Sequence, residues 1–146
     1  IWVGTDDGLN RLDGYRIQPF FFQNQQVNSL CNSSIKHLYT SKNQELWIGT
    51  EAGVCTYNYT TNSFKRIDPR HTTSLHQEFN PFFFSVNGRE WILGQRGYYS
   101  RGKNNKLQAF AYNGNAAIGL RKGDRIDFAV RDQKGVVWGA QRQQLL

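Results

Sequence analysis

The chain has 146 residues, enough for one domain or part of a larger one, and its 38% hydrophobic, 14% aromatic and 20% charged residues exclude disorder, collagen-like structure and coiled coil. Eighteen Lys and Arg against eleven Asp and Glu give a net charge of +7, but the cations are scattered from Arg11 to Arg142 and no basic run exceeds two residues. That distribution reads as a solvated basic surface, not as a nucleic-acid footprint. No apolar run approaches the roughly 20 residues of a membrane span, and the start lacks the basic and apolar regions of a secretory signal, so the segment is expected to be soluble.

Fourteen glycines beside three prolines, with Val, Ile, Tyr, Phe and Trp spread along the chain, favour short strands and tight turns. In chain order, the first element is Ile1-Trp2-Val3-Gly4-Thr5, followed by Gly8 and by Asp13-Gly14, a two-residue hairpin signal because such a turn needs positive φ. The next group reads as four strands, Ile35–Thr40, Leu46–Thr50, Val54–Tyr59 and Ser63–Ile67, bounded by Gly, Asn, Asp and Ser. Both pleat faces of Leu46-Trp47-Ile48 are apolar, which predicts a sheet covered on both sides. A third group follows with Pro81 and Phe82-Phe83-Phe84, then an Asn87-Gly88 turn, Glu90-Trp91-Ile92-Leu93-Gly94 and Gly97-Tyr98-Tyr99. Pro81 cannot donate a ladder hydrogen bond, so its strand is expected at a sheet edge. The last group centres on Val137-Trp138-Gly139-Ala140.

The four tryptophans, Trp2, Trp47, Trp91 and Trp138, are separated by 45, 44 and 47 residues. Gly8, Gly53 and Gly97 each stand six residues after the first three, and Ile35, Phe79 and Ile126 twelve residues before the last three. A four-stranded unit repeating every 40 to 45 residues and buried on both faces is a β-propeller blade. A parallel solenoid fits less well, since it usually repeats every 20 to 30 residues and has no need of hairpin turns. The fold class is therefore all-β, a β-propeller fragment of about three four-stranded antiparallel blades. The expected divisions are an incomplete first blade (1–23), a second (24–68), a third (69–112) and an incomplete fourth (113–146). Closed propellers use roughly 4 to 8 blades, so the segment reads as part of a longer polypeptide.

Leu46-Trp47-Ile48-Gly49-Thr50-Glu51-Ala52-Gly53-Val54 and Ile1-Trp2-Val3-Gly4-Thr5-Asp6-Asp7-Gly8-Leu9-Asn10-Arg11-Leu12-Asp13-Gly14 resemble the two-component regulator propeller repeat. The likeness weakens after Trp91, where Leu93 replaces the first glycine, and the fourth repeat lacks Gly-Thr. The resemblance implies a periplasmic sensor region of a hybrid two-component histidine kinase of the Bacteroidetes type. It further implies oligosaccharide recognition, further blades and a C-terminal β-sandwich as neighbours in the parent chain, and a homodimer. The scattered cations argue against nucleic acid, and the lack of nucleophile, paired metal-ligand and phosphate-loop motifs argues against a cofactor or catalysis in this segment. A propeller enzyme, of the quinoprotein or lyase type, and a protein-interaction scaffold are the rival readings.

Candidate binding groups follow from where propeller loops open. The turn after each Trp strand and the connections between blades share one face, which puts Asp6, Asp7, Glu51, Gln95 and Arg96, and the stretches around Arg70 to His76 and Arg121 to Asp124, on the face to search first. Arg96, Arg70 and Arg121 could pair with a carboxylate or sulfate, His71 stands beside Arg70, and Tyr98 could stack on a sugar. His37 is expected to pack, and Phe20-Phe21-Phe22 and Phe82-Phe83-Phe84 to fill the spaces between blades. Cys31 and Cys55 could be bridged in an oxidising compartment, but a single pair in a domain of this size is more often two small buried hydrophobes.

Overall fold

The computed structural model describes residues 1–67, 82–86, 89–93, 97–101, 107–111, 128–134 and 136–140. Among these, thirteen strands form four antiparallel sheets and there is no helix. The first sheet is β1 (Trp2–Thr5), β2 (Gly8–Asp13) and β3 (Arg16–Phe20). The second is β4 (Ile35–Thr40), β5 (Leu46–Thr50), β6 (Gly53–Asn58) and β7 (Ser63–Arg66), each strand beside its chain neighbour. The third repeats that order with β8 (Phe82–Val86), β9 (Arg89–Leu93), β10 (Gly97–Arg101) and β11 (Leu107–Ala111), and the fourth pairs β12 (Phe128–Arg131) with β13 (Val137–Ala140).

These are propeller blades. β4 lies against β8 and β8 against β12, so the opening strands of successive sheets line a common axis. The tryptophans hold one register: Trp2, Trp47 and Trp91 stand opposite Arg11, Thr56 and Ser100, nine residues on in each case. Trp138 sits on β13, the second strand of its own blade, opposite Val130.

Repeated local chemistry makes the repeated turn. The Thr5 hydroxyl donates to the Gly8 carbonyl (3.0 Å) and accepts from the Asp7 amide (3.1 Å), and the Thr50 hydroxyl donates to the Gly53 carbonyl (2.8 Å). Gly8 and Gly53 both have φ of 133°, which is why the third strand opens on glycine, one residue before the Val54 start that its β-branched side chain suggested. Gly14 takes φ of 63° in the hairpin joining β2 and β3, as its turn signal required.

Alternation then assigns the faces. Trp2, Leu9 and Phe20 of the first sheet point toward the second and meet Leu46, Ile48, Tyr57 and Phe64, a core that also takes in Leu30 and Ile35. Ring centroids lie 4.8 Å apart for Trp2 and Tyr57 and 5.2 Å for Phe20 and Phe64. The opposite face of the second sheet supplies Trp47, Val54 and Ile67 to a core with Phe83, Ile92 and Tyr99 of the third. β5 is buried along its whole length, as its two apolar faces predicted. The first phenylalanine run divides differently from expectation: Phe20 ends β3 and packs, whereas Phe21 and Phe22 lie beyond the strand and are exposed. In the second run Phe83 is buried and Phe82 and Phe84 are half-buried.

Candidate ligand face

Two ends of the sheets carry polar chemistry. At the end where β1 turns into β2, the Asp6 carboxylate accepts hydrogen bonds from the Lys36 ammonium and the Ser34 hydroxyl, both at 3.0 Å. The Lys36 hydrogen bond, followed by that of Ser34, holds the Asp6 carboxyl below the usual range. The neighbouring turn is tied to the same segment, since the Glu51 amide donates to the Ser34 carbonyl at 3.0 Å. Asn32 caps this segment through its side-chain oxygen, which accepts from the Ser34 amide at 2.8 Å. Asp7 and Glu51 are exposed on either side, so the face is stitched by one ion pair and keeps two carboxylates open to solvent.

His37, the next inner-strand residue after Lys36, turns its ring onto Phe82 and Phe83, with centroids 5.4 Å away in both cases. This is the packing role expected of it, but Nδ1 has no hydrogen-bond partner among the described residues. Burial pulls its pKa below the ordinary value.

At the opposite end, arginines cover three of the indoles. Arg11 stands 5.8 Å from the Trp2 ring, Arg101 5.2 Å from Trp47 and Arg89 5.0 Å from Trp91. Arg11 crosses to the second sheet to donate to the Tyr57 hydroxyl (2.8 Å), and Arg101 crosses from the third to pair with Glu45. Glu90 lies close by, its pKa raised first by burial and then by the Glu45 charge, against a hydrogen bond from Tyr39. The Arg11 and Arg101 contacts join neighbouring blades, whereas Arg89 stays within the third sheet and donates to the Ser100 hydroxyl at 2.6 Å.

An open groove of about 430 Å³ runs along the outer edge of the second sheet, lined by Val27, Asn28, Asn58, Ser63, Phe64, Lys65 and Arg66. Sequence reasoning missed it, because it forms where the connector before β4 folds back on β7: the Phe64 amide donates to the Asn28 carbonyl at 2.9 Å. Arg66 is committed within it to the Leu30 carbonyl (3.2 Å) and the Ser29 hydroxyl (3.3 Å).

Of the residues expected to bind ligand, Tyr98 is half-buried on β10, its ring 5.7 Å from Trp91 on the face turned away from the second sheet. Arg96, Arg70, His71 and Arg121 lie outside the described residues, as do Gln95, His76, Pro81 and the Asn87-Gly88 turn. Among the described residues, no group of three or more His, Cys, Asp or Glu side chains is placed to hold a metal ion.

No protein-family model matches the chain, and no curated protein sequence matches it. Solved structures do. Over 94% of its length the chain superposes on the extracellular domain of BT3049 of B. thetaiotaomicron, described as a hybrid two-component system, with a TM-score of 0.68 and 24% identity. The extracellular domain of BT4673 of the same organism, described likewise, gives 0.64 and 22% over 94%, and a further structure of it, described as a one-component system, 0.64 and 21% over 97%. In each case the chain spans about 20% of the matched structure. At these identities the likeness establishes the fold, and the proteins that share it are the extracellular domains expected from the repeat.

Proposed function

We propose that this chain is part of the ligand-sensing propeller of an extracytoplasmic region in a two-component signalling protein, and that it contributes to oligosaccharide recognition on the face that carries the Asp6–Lys36 pair and the turn of Glu51. The observation that carries the reading is the superposition of nearly the whole chain on extracellular domains of such systems. The parent would add further blades, a β-sandwich beyond them and a second copy of itself, and would lie in the periplasm as the sensor region of an inner-membrane protein. Signalling then works by differential affinity: a saccharide that binds one arrangement of propeller and following domain more tightly shifts the population, and the dimeric kinase reads the shift.

Arg96, Arg70, His71 and Arg121 would supply charge-assisted hydrogen bonds to an acidic saccharide, and Tyr98 an aromatic surface. The exposed carboxylates Asp7 and Glu51 would accept from sugar hydroxyls in the same neighbourhood. An oligosaccharide library screened against the purified extracellular region by thermal shift, followed by calorimetry, tests this. One saccharide class should raise the melting temperature, and Arg96→Ala and Tyr98→Ala should each weaken its binding about tenfold or more. Absence of binding across the library, or unchanged affinity in both variants, overturns the reading.

A further inference from the structure

Cys31 and Cys55 are used by nothing described so far. Cys55 is buried on β6, on the face turned to the first sheet, and its cross-strand partner is Arg66. The Arg66 guanidinium reaches back over that face to the connector, where it donates to the Leu30 carbonyl, the Ser29 hydroxyl and the Gln26 carbonyl. The connector is further pinned by Ser29, whose hydroxyl donates to Gln26 and accepts from the Gln23 amide, and by the Asn28–Phe64 backbone bond. Cys31 is the residue after the one Arg66 grips, so the clamp packs it against the same core that holds Cys55.

We propose that Cys31 and Cys55 are joined by a disulfide in the mature protein, fastening the connector between the first two blades to the third strand of the second. The proposal rests on the extracytoplasmic location read above, because an oxidising compartment is where such a bond persists. Cys31, the less buried of the two, reacts first. Its thiolate attacks one sulfur of a disulfide oxidant, forming a mixed disulfide and expelling one thiolate; the Cys55 thiolate then displaces the second thiolate from the Cys31 sulfur. The two cysteine protons and two electrons end on the two thiols released from the oxidant. Burial pushes the Cys31 thiol well above its ordinary pKa, so exchange in the folded chain is slow near neutrality and quickens as pH rises.

The test incubates the folded, reduced chain with oxidised glutathione, then unfolds it and alkylates it with a maleimide. The expected product has lost two hydrogens by intact mass, resists alkylation at both cysteines, and melts roughly 10 °C above the reduced form. Cys31→Ser should melt with the reduced wild type and show no such shift. Two free thiols, or one glutathione on each cysteine, overturns the proposal, as does a melting shift that survives in Cys31→Ser. Alkylation of the protein in intact cells separates the two readings: a bond that forms in the tube while both thiols stay reduced in the cell overturns the location and with it the bond in the mature protein.

Discussion

The first two blades present the same register positions in opposite circumstances. Ile1, Val3, Leu12 and Ile17 on the outward face of the first correspond to Leu46, Ile48, Tyr57 and Phe64 of the second. The first set is between 37% and 80% exposed, while the second is at most 4% exposed because the first blade covers it. The same contrast runs through the tryptophans: Trp47 is fully buried against the third blade, whereas Trp138, at the equivalent place on the fourth, is 62% exposed and donates its indole N–H to Asp132 (2.9 Å). In a stacked array, sequence writes the pattern of a face, and only the neighbouring unit decides how much that face is worth.

The comparison is broken most readily at the indoles. Trp47→Ala should cost about 3–5 kcal/mol in urea denaturation, and Trp138→Ala less than about 0.5–1 kcal/mol. Equal costs would mean that burial between blades contributes little. Next come the paired apolar positions: Ile48→Thr should cost about 2–4 kcal/mol, and Val3→Thr within about 0.5 kcal/mol of nothing, since the hydroxyl is buried in one and wet in the other. A third test uses a close approach. A Cβ on Gly4 would stand 2.5 Å from Cγ2 of Ile35, so Gly4→Ala should cost about 1–3 kcal/mol, and Ile35→Ala in the same chain should cost less than it does alone.

The smallest effects are pH-linked and have opposite signs at the interface of the second and third blades. His37 has a lowered pKa, so its contribution is present above about 6.5 and is lost as pH falls through the folded value. Glu90 has a raised pKa, so its contribution is present below about 4.5 and is lost as pH rises through the folded value. Between pH 4 and 8, His37→Phe should flatten the acid limb of the stability profile. Glu90→Gln should gain most over the wild type near neutrality and lose that gain in acid. A profile unchanged by both variants would remove these two groups from the account.

Much of this architecture could be read from the chain alone, for a physical reason. Indole at one register, the Thr and Gly that close the following turn, and apolar residues on both pleat faces are local requirements, so β4 and β5 run as expected from Ile35–Thr40 and Leu46–Thr50. What escaped depends on contacts far apart in sequence. Phe21 and Phe22 look like Phe20 until the strand ends beneath them, and the groove at Asn28 and Phe64 exists only because the connector folds back. His37 was legible as a packed ring, while its unpartnered Nδ1 was not, because that depends on which phenylalanines arrive from the next blade. Tyr98 was legible as a strand-start residue after a turn glycine, but its contact with Trp91 was not, because that depends on the pairing of β9 with β10.

The missing side chain at Gly4 also sets a taper. Ile35 fills the space that a Cβ would take, so the inner margins of the first two sheets converge as spokes do at a hub. Gly49 holds the same place in the second sheet, opposite His37, but in the third the place belongs to Leu93, opposite Tyr98. A side chain at that place in the third sheet removes the clearance that lets the first sheet approach the second so closely, so the close approach is a property of the glycine blades and not of every repeat.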